Sequence, residues 1–108
     1  MVYVVYITEN FEKEMNKLSP SDIEIIKKIF LQLKENPYVG DAIRYKFFRE
    51  KRIREKRVYY LVYDELSAVL VVALGNKKAQ QDTIEKIITL LPEFKTYIKE
   101  LLNKEDTK

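Results

Sequence analysis

The residues best suited to chemistry lie in one short basic segment, Arg44 to Arg57, which reads RYKFFREKRIREKR. Eight of the chain's twenty basic residues fall in it against two acidic ones, so the segment has a net charge of +6 and the rest of the chain −3. Tyr45, Phe47 and Phe48 interrupt the charges. Cations bind phosphates and aromatic rings stack on bases, so this composition is typical of a nucleic-acid contact. The alternative is a solvated edge strand whose lysines oppose edge-to-edge pairing.

The chemistry that such a segment can support is cleavage of RNA by its own 2′-hydroxyl. That reaction needs a proton acceptor, positive charge around a phosphorane-like transition state, and a proton donor for the leaving oxygen. Arg52, Arg54 and Arg57 are expected to project from one face of a sheet and to bind a phosphate through paired hydrogen bonds. A lysine crowded among arginines has its charged form disfavoured, which suits it to proton transfer. The candidate bases of this kind are Lys51, Lys56, Lys77 and Lys78.

The composition excludes other chemistry. Neither histidine nor cysteine occurs among the 108 residues, so the usual zinc ligands, disulfides and the histidine proton shuttle are missing. We therefore expect no metal and no cofactor. Acidic residues follow the N-terminal apolar run where a signal peptide would continue, and no apolar stretch approaches the ~20 residues of a membrane span. These features predict a cytoplasmic protein with a single domain at residues 1–104 and a frayed tail at 105–108.

A helical hairpin is predicted before the basic segment. Val2 to Ile7 is a β-branched and aromatic run that indicates a strand, and Thr8 follows it as a helix cap. Ser19-Pro20 begins a second helix, which Asn36-Pro37 ends. Because only a few residues connect the two helices, they are expected to pack antiparallel.

Extended segments and further helices follow the hairpin. Strands are predicted from Ile43 to Arg49 and from Ile53 through Tyr63, the second apolar on both faces and therefore central. After a turn at Asp64 to Ser67, Ala68 to Leu74 returns antiparallel. Amphipathic helices start near residue 79 and are divided by Pro92. The order predicts an α+β fold, with an N-terminal strand and helical hairpin packed on a small antiparallel β-sheet, followed by C-terminal helices.

Several motifs occur in an order that resembles the RelE/ParE superfamily of type II toxins, over nearly the whole chain. The helical hairpin ends in Leu33-Lys34-Glu35-Asn36-Pro37, similar to the family's "L..nP" motif. The run from Arg52 to Tyr60 resembles its basic strand pair, "R.R....YR..Y". An apolar strand then ends in Leu74-Gly75-Asn76-Lys77-Lys78, where the family has a basic turn.

The resemblance implies roles for individual residues. Arg57 matches the arginine that opens the family's central strand and stabilises the scissile phosphate in its nucleases. Arg54 and Lys77 complete the expected catalytic set. The residues expected to bind RNA or phosphate are Arg49, Lys51, Arg52, Lys56 and Lys78. Residues 79–83 read AQQDT and depart from the pattern, because many RelE-like nucleases have a tyrosine or histidine there.

The resemblance also implies a function and partners. Members similar to RelE cut messenger RNA on the ribosome, whereas members similar to ParE inhibit DNA gyrase without catalysis, and both bind an amphipathic segment of a cognate antitoxin. We expect a toxin that inhibits translation as a metal-independent, ribosome-dependent mRNA endoribonuclease. A ParE-like gyrase inhibitor is the alternative, favoured by the missing tyrosine or histidine. A nucleic-acid-binding module without toxicity is a third possibility.

Overall fold

The computed structural model describes residues 2–106, in which four helices pack against the two faces of a five-stranded sheet. The elements in chain order are β1 (Val4–Ile7), α1 (Glu9–Asn16), α2 (Pro20–Glu35), β2 (Asp41–Ile43), β3 (Tyr45–Ile53), β4 (Lys56–Tyr63), β5 (Ala68–Asn76), α3 (Gln80–Thr89) and α4 (Leu91–Asp106). A 3₁₀ turn at Asp64–Leu66 joins β4 to β5. The predicted α+β fold is confirmed.

The strands lie in the order β1-β5-β4-β3-β2. This places β4 at the centre, the position that its two apolar faces predict. Neighbouring strands are antiparallel except for β1, which runs parallel to β5. The sheet is therefore mixed, whereas an antiparallel sheet was predicted. The parallel direction of β1 could not be predicted from a local pattern, because its partner β5 is distant in sequence.

Side-chain caps begin the first two helices at the predicted residues. Oγ1 of Thr8 accepts a hydrogen bond from the backbone N–H of Phe11 at 3.1 Å, and Oγ of Ser19 accepts one from that of Asp22 at 3.3 Å. Each cap satisfies an N–H that the first helical turn leaves without a partner. Pro20 fits the start of α2 because its missing N–H would have had no intrahelical acceptor.

The central strand is buried on both faces, and each face has its own hydrophobic core. Side chains alternate between the faces along a strand. The α2 face, which packs against α1 and α2, takes from β4 the side chains of Val58, Tyr60 and Val62. The α3 face, which packs against α3 and α4, takes Tyr59, Leu61 and Tyr63. Arg57 precedes Tyr59 by two residues and therefore also lies on the α3 face.

The hairpin between β3 and β4 turns at Arg54 and Glu55, so Ile53 ends β3 and the prediction that it begins the next strand was wrong. The turn contains no glycine or asparagine. Arg54 instead adopts a positive φ of 53°, which is uncommon for a residue with a long side chain. Arg44 has a φ of 60° and separates β2 from β3, which divides the strand predicted to start at Ile43.

The C-terminal helices follow the predicted division at Pro92, which lies in the first turn of α4. That helix continues to Asp106, whereas residues 107 and 108 lie outside the described residues, so the frayed tail at 105–108 stays a prediction. Within residues 2–106, no helix is both long and apolar enough to cross a membrane.

Candidate phosphate-binding site

The strand register brings several of the candidate cations to one end of the sheet. Arg52 of β3 pairs with Arg57 of β4, which in turn pairs with Gly75 of β5, so the three positions form one row on the α3 face. Lys77 and Lys78 follow this row in the turn between β5 and α3, where both are exposed. Arg52 is exposed as well. This end of the sheet therefore presents separate cations around one buried arginine.

Arg57 is buried and forms an ion pair with Glu50. Its Nε lies 3.3 Å from Oε2 of Glu50, and both side chains are only 6% exposed. Glu50 stands opposite Tyr59 in the register, and therefore diagonal to Arg57 on the same face. Gln80, in the first turn of α3, donates from Nε2 to the same carboxylate oxygen at 3.3 Å. The first turn of α3 thus covers the ion pair of Arg57 and Glu50, in which each side chain neutralises the charge of the other.

The polar groups of this buried cluster are incompletely hydrogen-bonded. Among residues 2–106, neither Nε of Arg57 nor the hydroxyl of Tyr59 has a hydrogen-bond partner with good geometry, although both atoms are buried. Burial raises the pKa of Tyr59, the charge of Glu50 raises it further, and Arg57 opposes them. The Tyr59 hydroxyl therefore stays protonated at neutral pH and is available as a donor.

Other cations of the basic segment are held on the opposite side of the sheet. Nη1 of Arg54 lies 3.2 Å from Oδ1 of Asp22, and Nζ of Lys56 lies 3.9 Å from Oδ2. Asp22 belongs to α2, so both cations lie away from Arg57. The prediction that Arg54 projects from the same face as Arg52 was wrong, because the positive φ at Arg54 interrupts the alternation and the Asp22 carboxylate attracts its side chain.

Arg49, Lys51 and Ile53 are every second residue of β3, so their side chains project from the same face. Ile53 belongs to the core on the α2 face, and Arg49 and Lys51 therefore lie on that face as well. Arg49 donates to the carbonyl oxygen of Gly40 at 2.6 Å and to that of Tyr38 at 3.2 Å. These hydrogen bonds stabilise the loop between α2 and β2. Lys51 borders a shallow groove beside α2. The structure does not bring either residue to Arg57, although both were expected to bind RNA.

A groove of about 480 Å³ separates α1 from α3 and has Val72 to Leu74 as its floor. Thr83 and Lys86 line this groove, but Arg52 and Arg57 do not.

No group of three or more histidine, cysteine, aspartate or glutamate side chains within residues 2–106 is arranged to hold a metal ion. The side chains at and around Arg57 carry guanidinium, carboxylate, ammonium and phenol groups.

Sequence reasoning missed one member of this cluster and undervalued another. Glu50 is one of the two acidic residues that the charge count set against the basic segment, and Tyr59 lies in the strand that was predicted to be central and buried. The strand register is the signal that joins them, since it places Glu50 opposite Tyr59 and diagonal to Arg57.

Comparisons with known proteins identify the fold. No protein-family model and no curated protein matches the sequence. The free RelE toxin of E. coli, as a double arginine-to-alanine variant, matches with a TM-score of 0.67 and 23% identity, covering 81% of this chain and 99% of that one. The same variant in complex with a RelB antitoxin peptide matches with a TM-score of 0.65 and 26% identity, covering 80% and 95%. The archaeal RelE–RelB complex of Pyrococcus horikoshii matches with a TM-score of 0.61 and 19% identity, covering 71% and 97%.

Proposed function

We propose that this chain, which has the RelE toxin fold, is the toxin of a type II toxin-antitoxin pair and cleaves messenger RNA on the ribosome. The observation that best supports the proposal is the position of Arg57. It lies on the central strand, beside Arg52 and close to the turn that carries Lys77 and Lys78. Cations from three separate stretches of the chain can therefore surround one phosphodiester.

In the proposed reaction, Arg57 and Arg52 bind the scissile phosphate and stabilise the charge that develops on its oxygens. Lys77 and Lys78 neutralise neighbouring phosphates. Glu50 accepts the proton of the 2′-hydroxyl, since a carboxylate beside the phosphate site can act as a general base and the chain has no histidine. Arg54 and Lys56 are left out of this set because both pair with Asp22 on the other side of the sheet.

The proposal requires the first turn of α3 to move. Arg57 and Glu50 are buried beneath it in the free chain, and Gln80 contacts the carboxylate. RNA reaches Arg57 when this turn is displaced, and a phosphate then replaces Glu50 as the partner of the guanidinium. The exposed Arg52, Lys77 and Lys78 make the first contacts.

A cognate antitoxin is the proposed protein partner. The E. coli and P. horikoshii structures that resemble this chain include complexes of RelE with RelB. We propose that a short acidic protein encoded beside this chain binds it and suppresses its toxicity. Co-expression of the neighbouring open reading frame, followed by co-purification and growth assays, tests this partnership.

Cleavage of ribosome-bound messenger tests the nuclease directly. Wild type, Arg57→Ala, Arg52→Ala and Lys28→Ala are compared by primer extension after incubation with programmed ribosomes. Lys28 is an exposed cation on α2 and serves as the charge-matched control. We expect a loss of roughly 10²- to 10³-fold for Arg57→Ala, as for removal of one electrostatic donor from an active site. Arg52 is exposed, so Arg52→Ala is expected to fold normally and still lose activity. Intact messenger after treatment with folded wild type would reject the nuclease.

Inhibition of DNA gyrase without catalysis is the second candidate. The observation that favours it is the burial of Arg57, which is paired with Glu50 and covered by α3 in this conformation. Supercoiling assays separate the two functions, because a gyrase inhibitor blocks supercoiling or traps cleaved DNA, and Arg52→Ala is not expected to relieve this. If neither effect occurs, the gyrase inhibitor is excluded.

A further inference from the structure

Tyr59 carries a hydroxyl that the fold leaves without a partner. Its side chain is 0% exposed, and within residues 2–106 the hydroxyl makes no hydrogen bond. The next residue shows the usual arrangement, since the Tyr60 hydroxyl is equally buried but donates to the Pro37 carbonyl at 2.7 Å and accepts from the Gly40 N–H at 3.1 Å. Buried polar groups are nearly always paired, so the orphaned hydroxyl of Tyr59 requires an explanation.

The location of Tyr59 suggests what its hydroxyl could contact. Glu50 stands directly opposite it in the register, and Arg57 lies two residues before it on the same face. A Cβ atom on Gly75 would come within 3.3 Å of Cε2 of Tyr59 and 3.5 Å of Oγ1 of Thr83. The ring of Tyr59 therefore lies between β5 and the first turns of α3, beneath residues 79–83, which offer neither tyrosine nor histidine.

We propose that Tyr59 donates the proton to the leaving oxygen in RNA cleavage at this site, an inference that rests on the proposed nuclease function. The 2′-oxygen bonds to phosphorus and its proton passes to the carboxylate of Glu50. The bond from phosphorus to the 5′-oxygen breaks, and that oxygen takes the hydroxyl proton of Tyr59. The products are a 2′,3′-cyclic phosphate and a 5′-hydroxyl. Exchange with water then carries a proton from Glu50 to the Tyr59 phenolate, which restores both groups.

The surroundings of Tyr59 suit a donor rather than an acceptor. Its pKa is raised by burial and by the charge of Glu50, so the hydroxyl keeps its proton until the leaving oxygen develops negative charge. Glu50 and Tyr59 are directly paired on the adjacent strands β3 and β4 and project from the same face, so a proton acceptor and a proton donor both lie next to Arg57. The hydroxyl becomes accessible by the same movement of α3 that exposes Arg57.

The test compares Tyr59→Phe with wild type on two RNA substrates. One has the ordinary 5′-oxygen at the cut site, and the other has a bridging 5′-sulfur, which departs without protonation. We expect Tyr59→Phe to cut the oxygen substrate roughly 10²- to 10⁴-fold more slowly, the usual contribution of a general acid, and the sulfur substrate at close to the wild-type rate. Tyr63→Phe, on the same strand and face but further from Arg57, is the control and is expected to match wild type on both.

The outcomes separate this role from the function on which it rests. Tyr59→Phe removes a hydroxyl without a partner, so its Tm is expected to equal or exceed that of wild type. Equal losses on both substrates would show a structural role and overturn the proposal. An unchanged rate on the oxygen substrate would also overturn it while leaving the nuclease intact. If wild type cuts neither substrate, the proposed function fails and the role of Tyr59 fails with it.

Discussion

Glu50→Gln tests whether the buried ion pair is closed to water. The substitution keeps the size of the side chain and removes its charge, which leaves the Arg57 guanidinium buried without a counter-ion. Loss of one partner from a buried pair costs about 3–5 kcal/mol, whereas exposed pairs contribute about 0–1 kcal/mol. Both side chains of this pair are 6% exposed, so the larger range applies. At about 4 °C per kcal/mol for a domain of this size, the expected fall in Tm is roughly 12–20 °C.

Thermal and urea unfolding of four proteins measure this effect as a double-mutant cycle. They are wild type, Glu50→Gln, Arg57→Met and the double variant. We expect the double variant to be much more stable than the sum of the single losses implies, because neutral replacements of both partners leave no buried charge. Glu85→Gln is the control, since the ion pair of Glu85 with Arg44 is exposed and is expected to contribute little. A loss below about 1 kcal/mol for Glu50→Gln, with an additive cycle, would show that water reaches the pair and would refute the closed site.

Two further substitutions test contacts that hold the loops. Tyr60→Phe deprives the Pro37 carbonyl and the Gly40 N–H of their shared hydroxyl, so the free energy of unfolding is expected to fall by about 1–3 kcal/mol. Urea unfolding measures this as a lower midpoint at unchanged m, and an unchanged midpoint would show that water replaces the hydroxyl. Asp64 accepts a hydrogen bond from the Tyr38 hydroxyl at 2.5 Å, which lowers the pKa of its carboxyl from 3.8. The stabilisation is therefore present above pH 3.8 and lost as the pH falls through the folded pKa. Asp64→Asn is expected to be less stable than wild type at pH 7 and to converge with it in acid, and a constant difference in Tm across a pH series would contradict this.

The parts of the fold that the sequence predicted are those encoded by local patterns. Thr8 and Ser19 begin helices because each side-chain oxygen accepts from a nearby backbone N–H, an interaction confined to three residues. The central position of β4 follows from apolar residues on both of its faces. The parallel pairing of β1 with β5 could not be predicted in this way, because it joins Val4 to Ala68 across most of the chain.

The position of one turn explains why the candidate site was predicted only in part. No residue with a strong turn preference occurs between Arg52 and Arg57, so the sequence pattern placed the start of the strand at Ile53 and did not locate the turn at Arg54 and Glu55. Without that turn, alternation along the segment suggested that the arginines share a face. Once the turn is placed, the pairing of Arg52 with Arg57 follows, and with it the approach of Glu50. One misplaced two-residue turn therefore hid both the approach of the Glu50 carboxylate to Arg57 and the separation of the cations onto two faces of the sheet.

Charge counting identifies the basic segment but cannot show which of its cations are free. Carboxylates from β3, α2 and α3 pair with much of it, in the contacts Glu50–Arg57, Asp22–Arg54, Asp22–Lys56 and Glu85–Arg44. The acids from the two helices are more than thirty positions away in sequence from the arginines they contact, so no window of composition detects them. Within residues 2–106, Arg52 and the two lysines after β5 have no such partner. For the proposed nuclease, we therefore expect these exposed cations to contribute to the long-range electrostatic attraction for RNA, and Arg57 to contribute only after it separates from Glu50.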